Sequence, residues 1–441
     1  MTNITFYNGL REIGGTFIAI ETEVSCLMFD FGFAASGRMD NKIKNRLEHY
    51  PEDCVRLGLL PQIDGVYNKK VADRLGVLPY GEAQKKCYFI ISHMHIDHMG
   101  GLGMLDPDIP VYMSEESKIL YGLLEEQKDI EYRAHPNCIG VPFKEQIVMG
   151  DILVTILPVD HDIVGASGFL IETPDGKIAY TGDYRFHGFN SDYSYEFAER
   201  AKGADVLITE GVTVSFGDVN LLEADRPEEE RTELTLQEEM YEYAKNEKKL
   251  LVINSYNRNI ERIHALIHTL KKAGRTLVLD TLHASYVSGF YPNDEISVYQ
   301  ETMDDKEVSK DWKIITKTEL LTNSSDYVLQ LDYSNMYELL DLASVISLYI
   351  HMDGSPLGGY DPSFEIMINL LNSLAIPYKN KGLGGHAAPF YLRYMIDTIA
   401  PDILVPIHSF RPEQVISEKI KKQFLPQYGD CIKLQKALLQ K

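Results

Sequence analysis

Apolar and polar positions alternate along the first thirty residues: Ile4-Thr5-Phe6-Tyr7, then 16–21, then 24–30, with Gly14-Gly15 and Glu21-Thr22-Glu23 between the runs. A period of two sets successive side chains on opposite faces of an extended chain, so three strands joined by turns are predicted. From about 34 to 86 the pattern becomes polar and irregular, with helical patches at 42–49 and 69–75. That is long for a connection and is read as an inserted element over the functional site. The apolar run Tyr88-Phe89-Ile90-Ile91 predicts a buried strand, and Ile119, Leu120, Leu123 and Leu124 recur at helical spacing within 115–128. A second block of strands is predicted at 152–157, 168–172 and 177–181, with Asp175-Gly176 as a hairpin turn.

From about residue 204 the rhythm changes to strand and helix in alternation. Short apolar strands are predicted at 204–209, 249–254, 276–280 and 403–406, with helices at 258–273 and 393–399 and further units of the same alternation at 327–331, 345–350 and 364–374. In the first of these helices Ile260, Ile263, Leu266, Ile267 and Leu270 share one face. Such alternation implies a parallel sheet covered by helices. The acidic stretch 223–247, with Glu228-Glu229-Glu230, is expected to be a loop leading into a solvated helix.

Composition narrows the function classes. The chain has 441 residues, 44% hydrophobic and 24% charged, which describes an ordinary globular protein of two or three domains. A formal net charge of -22 argues against holding nucleic acid by bulk charge, because such binding relies on Lys and Arg neutralising phosphates. Cys26, Cys54, Cys87, Cys138 and Cys431 are odd in number and form no CxxC pair, so no disulfide framework is expected. With no signal-like N-terminus and no run near the roughly 18 apolar residues of a spanning helix, a cytoplasmic protein without membrane attachment is expected.

The chemistry concentrates in Ser92-His93-Met94-His95-Ile96-Asp97-His98-Met99-Gly100-Gly101, directly after an apolar strand. In an extended segment His93 and His95 point to one side while Met94 turns to the core. Asp97 and His98 follow where the chain should bend into a helix and can face a second ion. Asp30 ends the third strand, His161 lies in Val159-Asp160-His161-Asp162, and Asp183 lies in Thr181-Gly182-Asp183. Each alone is an ordinary strand-end residue; their joint fit makes them candidates.

This constellation resembles the metallo-β-lactamase superfamily and, within it, the β-CASP nucleases of the ribonuclease J kind. His93 to His98 match the HxHxDH signature, and Asp30, His161 and Asp183 fall in order for the flanking motifs. Glu210 in Thr209-Glu210-Gly211, His386 in Gly385-His386-Ala387 and His408 in Pro406-Ile407-His408 follow the shorter β-CASP signals. The resemblance implies an α/β protein: an αββα sandwich from residues 1–205 and 379–441, with an inserted α/β β-CASP domain at 206–378 that carries a parallel sheet and helices. It implies two divalent metal ions, zinc first and manganese as the alternative. His93, His95 and His161 would hold one, Asp97, His98 and His408 the other, with Asp183 bridging and Asp30 orienting the ligands from behind. A hydroxide between the ions would be the nucleophile. His386 would contact the scissile phosphate or protonate the leaving oxygen, supported by Glu210.

The implied activity is a metal-dependent phosphodiesterase acting on single-stranded RNA, with DNA as the alternative substrate and the oligomeric state open, a homodimer included. Two other readings stand beside it: a metallo-hydrolase of a small ester, lactone or phosphoester, which the charge favours, and a non-catalytic subunit of an RNA-processing complex, which the complete ligand set disfavours. Ribonuclease J usually carries a further C-terminal domain, expected to be absent here. Arg185, Arg258, Arg262, Lys379, Lys381 and Arg411 are candidates for a basic groove. His187 is a candidate for lining the site, and His283 and His351 for bordering the cleft. His264 and His268, four apart on a helix, have ligand spacing but no evident third partner.

Overall fold

Strand Thr2–Asn8 buries every second side chain, as its alternation predicts, and turns Ile4 and Phe6 into the space between two sheets. The computed structural model describes residues 1–34, 45–83, 85–302, 311–359 and 361–435. Among these, the strands form three seven-stranded sheets. The first runs in the order Cys431–Leu434, Thr2–Asn8, Phe17–Glu21, Ser25–Phe29, Lys86–Ile90, Val111–Ser114, Cys138–Val141. The second runs Lys422–Gln423, Ile403–Ile407, Val206–Glu210, Gly176–Tyr180, Ser167–Thr173, Ile152–Pro158, Gln146–Met149. These two face each other across one apolar layer to which Ile18, Ile20, Leu27 and Phe29 contribute from one side and Ile156, Phe169, Ile178 and Ile208 from the other. Each such side chain removed from water contributes about 1.5–3 kcal/mol, and the layer holds the strand ends that carry the candidate residues. On the outer faces pack helices, among them Glu115–Glu126 and Ser191–Arg200, giving the sandwich that was expected.

The third sheet is parallel throughout, in the order Lys313–Ile315, Ser297–Tyr299, Thr276–Leu279, Tyr327–Gln330, Leu250–Ser255, Ile346–Met352, Tyr378–Asn380. Its interior strand Leu250–Ser255 is buried at every position, because helices cover both faces. After this sheet the chain returns to the sandwich: Ile403–Ile407 pairs in parallel with Val206–Glu210, placing Glu210 opposite Ile407. Residues nearly two hundred positions apart thus finish side by side at one sheet edge. Among the described residues no helix is long and apolar enough to cross a membrane.

Three expectations change. The stretch 34–86 is not a polar excursion where it is described: helices Tyr50–Arg56 and Lys69–Leu75 bring Tyr50, Cys54, Val71 and Ala72 into the core, and the segment between them adds Val66 and Tyr67. The helix expected at 42–49 lies partly outside the described residues; its described end is a single tight turn, Leu47–His49, that leads into Tyr50–Arg56. The acidic stretch 223–247 does end in a helix, Glu233–Asn246, yet Glu233 is fully buried and Leu236, Met240 and Ala244 pack inward. A capping box at Thr232 and Thr235 starts that helix.

Candidate metal centre and active site

Strand Lys86–Ile90 runs parallel to both of its neighbours and delivers Ser92 and His93, fully buried, at its C-terminal end. Met94 turns into the core and the short helix Ile96–Met99 begins after His95, so the predicted bend lies where it was expected. The other candidates also sit at strand ends. Asp30 follows Ser25–Phe29, His161 follows Ile152–Pro158, Asp183 follows Gly176–Tyr180, and His408 follows Ile403–Ile407. Asp30 and His408 adopt positive φ, 58° and 52°, which turns each side chain back over the end of its sheet.

His93 Nε2 and His161 Nε2 lie 3.1 and 3.2 Å from His95 Nδ1. The opposite ring atoms are spoken for: His161 Nδ1 donates to the Gly385 carbonyl at 2.5 Å, and His93 Nδ1 lies 3.0 Å from Ser92 Oγ. Ser92 Oγ itself donates to Asp30. The two Nε2 atoms therefore carry lone pairs, and three nitrogens converge where at most one proton can be shared. Nitrogens around a tetrahedral zinc with 2.0–2.1 Å bonds stand about 3.3 Å apart, so the spacing suits an ion between them. Burial lowers the pKa of all three imidazoles, His95 to about 3, and keeps them neutral, the form that binds metal.

A second group adjoins the first. Asp183 Oδ2 lies 3.3 Å from His98 Nε2, 3.2 Å from His408 Nε2 and 3.9 Å from His93 Nε2, so one carboxylate faces both groups. Asp97 Oδ2 is 3.8 Å from His98 Nε2 and 3.6 Å from His408 Nε2. His98 Nδ1 donates to Asp30 Oδ2 at 2.8 Å; burial would lower this ring's pKa, but Asp183, Asp97 and Asp30 outweigh it and raise it well above the ordinary value, so Nε2 presents a proton to Asp183 that ligation would displace. A carboxylate behind a ligating imidazole sets its tautomer and raises its basicity. Asp30 also accepts from the Ser92 amide at 2.7 Å and from the Tyr180 hydroxyl. Burial alone would raise the pKa of Asp183, but His408 and His98 outweigh it and hold the carboxylate well below its ordinary range. His408 differs from the other rings: the Gly14 amide donates to its Nδ1 at 3.1 Å, so the neutral ring carries its proton on Nε2, facing the carboxylates. Ligation there requires that proton to leave.

His386 Nδ1 lies 3.2 Å from Glu210 Oε1 and 3.8 Å from Asp183 Oδ2. Burial lowers its pKa, but Glu210 outweighs burial and raises it to about 10. Glu210 is buried and its Oε2 accepts from the Val212 amide. The His386 side chain retains a quarter of its exposure, whereas His93, His98, His161 and His408 are closed off. Within this centre the groups able to hold an ion are His93, His95 and His161; His93, His98 and Asp183; Asp97, His98 and His408; and Asp183, His386 and His408. All the expected site residues are therefore brought together.

Gly32 explains how the loops fit so closely. A Cβ there would stand 1.8 Å from the Asp97 carbonyl carbon and oxygen, so only glycine allows the Asp30 loop to pass beneath the helix that carries Asp97 and His98.

Several residues were missed or misplaced from sequence. Asp162 Oδ1 lies 3.4 Å from His161 Nε2 and 3.5 Å from His95 Nε2, buried without a hydrogen-bond partner. Ser92 and Tyr180 complete the shell of Asp30; their only sequence signal is adjacency to the motifs. The basic groove does not form from the arginines. Arg185 and Arg262 are fully buried and share Glu233 at 3.1 and 2.8 Å, Arg262 also meets Asp353 at 2.9 Å, and Arg258 pairs with Asp129 at 3.0 Å. Lys381 pairs with Glu239 and Arg411 with Asp218, while Lys379 is exposed beside Tyr243. His187 does not line the site: it is buried and bonds the carbonyls of Leu383 and Gly384. His283 and His351 do not border the cleft but are buried in the third sheet's unit, against Asp280 and the Pro356 carbonyl.

The buried cations do position the site. Arg258 donates to the Met94 carbonyl at 2.8 Å, between His93 and His95. Asp353 accepts from the amides of Leu383 and Gly384, and Arg185 donates to the Gly384 carbonyl, so the loop that leads to His386 is held from both sides.

Comparison with known proteins agrees with this geometry. A family profile described as the β-lactamase superfamily domain matches residues 79–245. Ribonuclease J of Pyrococcus abyssi is 25% identical over 288 residues, covering 63% of this chain and 58% of that protein. Ribonuclease J of Helicobacter pylori strain J99 is 23% identical over 435 residues, covering 92% of this chain and 55% of that protein. The chain thus spans a little over half the length of these curated relatives. Among solved structures, a protein of unknown function from Enterococcus faecalis V583 superposes with a TM-score of 0.82 at 30% identity, covering 98% of this chain and 99% of that one.

Proposed function

We infer that the chain is a member of the metallo-β-lactamase superfamily, in its ribonuclease J-like β-CASP branch, and from that premise propose that it is a metal-dependent phosphodiesterase that hydrolyses single-stranded RNA. The observation that carries this reading is the meeting of two side-chain sets: imidazole nitrogens that converge at 3.1–3.2 Å, and the Glu210–His386 pair at 3.2 Å beyond Asp183. In this reading His93, His95 and His161 would hold one ion and Asp97, His98 and His408 the other, with Asp183, which faces both groups, available to each. Zinc suits this donor set, with manganese as the alternative. Such ions lower the pKa of bound water towards neutrality and polarise a phosphoryl oxygen.

The chain's own residues have separate tasks. Asp30 fixes His98 with Nε2 forward, and Ser92 does the same for His93. Asp183 keeps its negative charge between the two groups. His386, the more exposed ring, reaches the scissile phosphate and carries a proton for the leaving oxygen, and Glu210 holds it in place. The expected boundaries shift by one strand at each end, since Val206–Glu210 lies in the sandwich and Tyr378–Asn380 in the third sheet: residues 1–210 and 381–435 act as the catalytic sandwich, and 211–380 as the β-CASP insertion that shapes access.

Incubating the purified protein with labelled single-stranded RNA and DNA, with zinc or manganese supplied, tests the reading. RNA cleavage that is lost on chelation is the expected result; turnover of a small ester with neither nucleic acid cleaved would overturn it. That second outcome belongs to a small-molecule metallo-hydrolase, a reading supported by one observation: Arg185, Arg258 and Arg262 are buried and paired with Glu233 and Asp129 rather than displayed to a polyanion.

A further inference from the structure

The structure supplies the third partner that His264 and His268 lacked in the sequence. Both project from helix Ile260–Lys272, away from its buried stripe of Ile260, Ile263, Leu266 and Leu270. Asp294, in the turn between helix Thr281–Phe290 and strand Ser297–Tyr299, lies with Oδ2 2.7 Å from His264 Nδ1 and Oδ1 3.1 Å from His268 Nε2. We propose that His264, His268 and Asp294 form a further site for a divalent transition-metal ion of the zinc class, separate from the candidate centre and sharing no residue with it.

Four observations carry this. The three donor atoms lie within 4.8 Å of one another, from two elements distant in sequence. The Asp294 side chain is only 7% exposed, so its carboxylate is held in place rather than free in solvent. The His264 ring is stacked on Tyr291 at 3.7 Å and 8° between planes, which fixes the direction of Nδ1. Histidines four apart on a helix face one way, so binding requires little reordering.

Two imidazoles and one carboxylate select zinc, cobalt or nickel over calcium and magnesium, which take oxygen ligands. Without an ion, one carboxylate accepts protons from two rings. An ion would replace those protons, and since ligand atoms around tetrahedral zinc stand about 3.3 Å apart, the contacts to Asp294 at 2.7 and 3.1 Å would lengthen and the two ring nitrogens, within 4.8 Å, would draw together. Three protein ligands leave one position for water. Occupancy would tie the helix to the turn that precedes Ser297–Tyr299.

The test is a metal count. The purified full chain is loaded with zinc, dialysed against metal-free buffer, and its zinc per chain measured by mass spectrometry beside that of His268→Gln and Asp294→Asn. His268→Gln retains a hydrogen-bond donor towards Asp294 but removes a ligand, at a half-exposed position whose change leaves folding intact. Both variants are expected to hold one zinc fewer than the parent, and to lose part of the zinc-dependent rise in Tm. His161→Ala, measured in parallel, reports on the candidate centre. Variants at 268 and 294 that hold as much zinc as the parent would overturn the proposal, whatever His161→Ala does.

Discussion

His161 Nδ1 donates to the carbonyl oxygen of Gly385 at 2.5 Å, across 224 positions of sequence. The bond sets the imidazole's tautomer, turns Nε2 towards His95, and couples the His161 loop to the loop that carries His386. Gly385 fits because a Cβ there would stand 2.5 Å from Asp162 Oδ1 and 2.7 Å from His161 Cε1. Gly385→Ala is therefore expected to push His161 out of line. Metal affinity and hydrolysis should fall about 10–100-fold, the usual cost of disturbing a group behind a ligand, with Tm little changed. Isothermal titration with zinc and a rate assay check this.

Arg258 reaches from the third sheet's unit to the carbonyl of Met94, between two of the converging histidines, while also pairing with Asp129. Arg258→Met keeps much of the buried stem and removes the tether. It is expected to weaken zinc binding roughly tenfold and to cost about 3 kcal/mol of stability, because Asp129 loses its charged partner. Denaturant unfolding with and without zinc separates the two effects.

Asp183→Ala removes the one carboxylate that faces both groups of imidazoles. Hydrolysis should drop by at least about a hundredfold and zinc content should fall, while circular dichroism keeps the parent's spectrum. A variant with parental rates would remove Asp183 from the chemistry.

Glu233 is buried between Arg262 and Arg185. Burial alone would raise its pKa, but the two guanidiniums outweigh that and bring it down to about 2 from an ordinary 4.5. A carboxylate with a lowered folded-state pKa contributes stability that is present above the ordinary value and lost as pH falls towards the lowered one. The protein should therefore lose on the order of 3 kcal/mol between about pH 4.5 and pH 2 through this group. Glu233→Gln should be less stable at neutral pH by about 3–5 kcal/mol and show a flatter pH dependence in that window. Urea unfolding across that range checks both.

The candidate site was largely legible in the sequence because its chemistry lies at strand ends, where local pattern is clearest. His93, His95, Asp97 and His98 are contiguous, and Asp30, His161, Asp183, Glu210 and His408 each close or follow an apolar run. What could not be read was the fate of isolated charges. Arg185 and Arg262 look like substrate-binding cations in a linear chain, and Glu233 looks like one of many acidic residues on a solvated helix. Burial and pairing are properties of three elements meeting at once, and no local period encodes them. His187, His283 and His351 illustrate the same limit: a polar ring near a strand end is a site residue or a satisfied interior group depending on what folds against it.

By itself the sequence determined the longer apolar strands and helices, the HxHxDH cluster and the chemical type of its partners, because hydrophobic period and donor chemistry are carried residue by residue. Only the tertiary structure decided which ring nitrogens face inward, that Gly32 lets two loops cross in contact, that the arginines brace the site from within, and that Asp294 joins His264 and His268. Those outcomes depend on distances of a few ångströms between segments far apart in the chain, which packing alone sets.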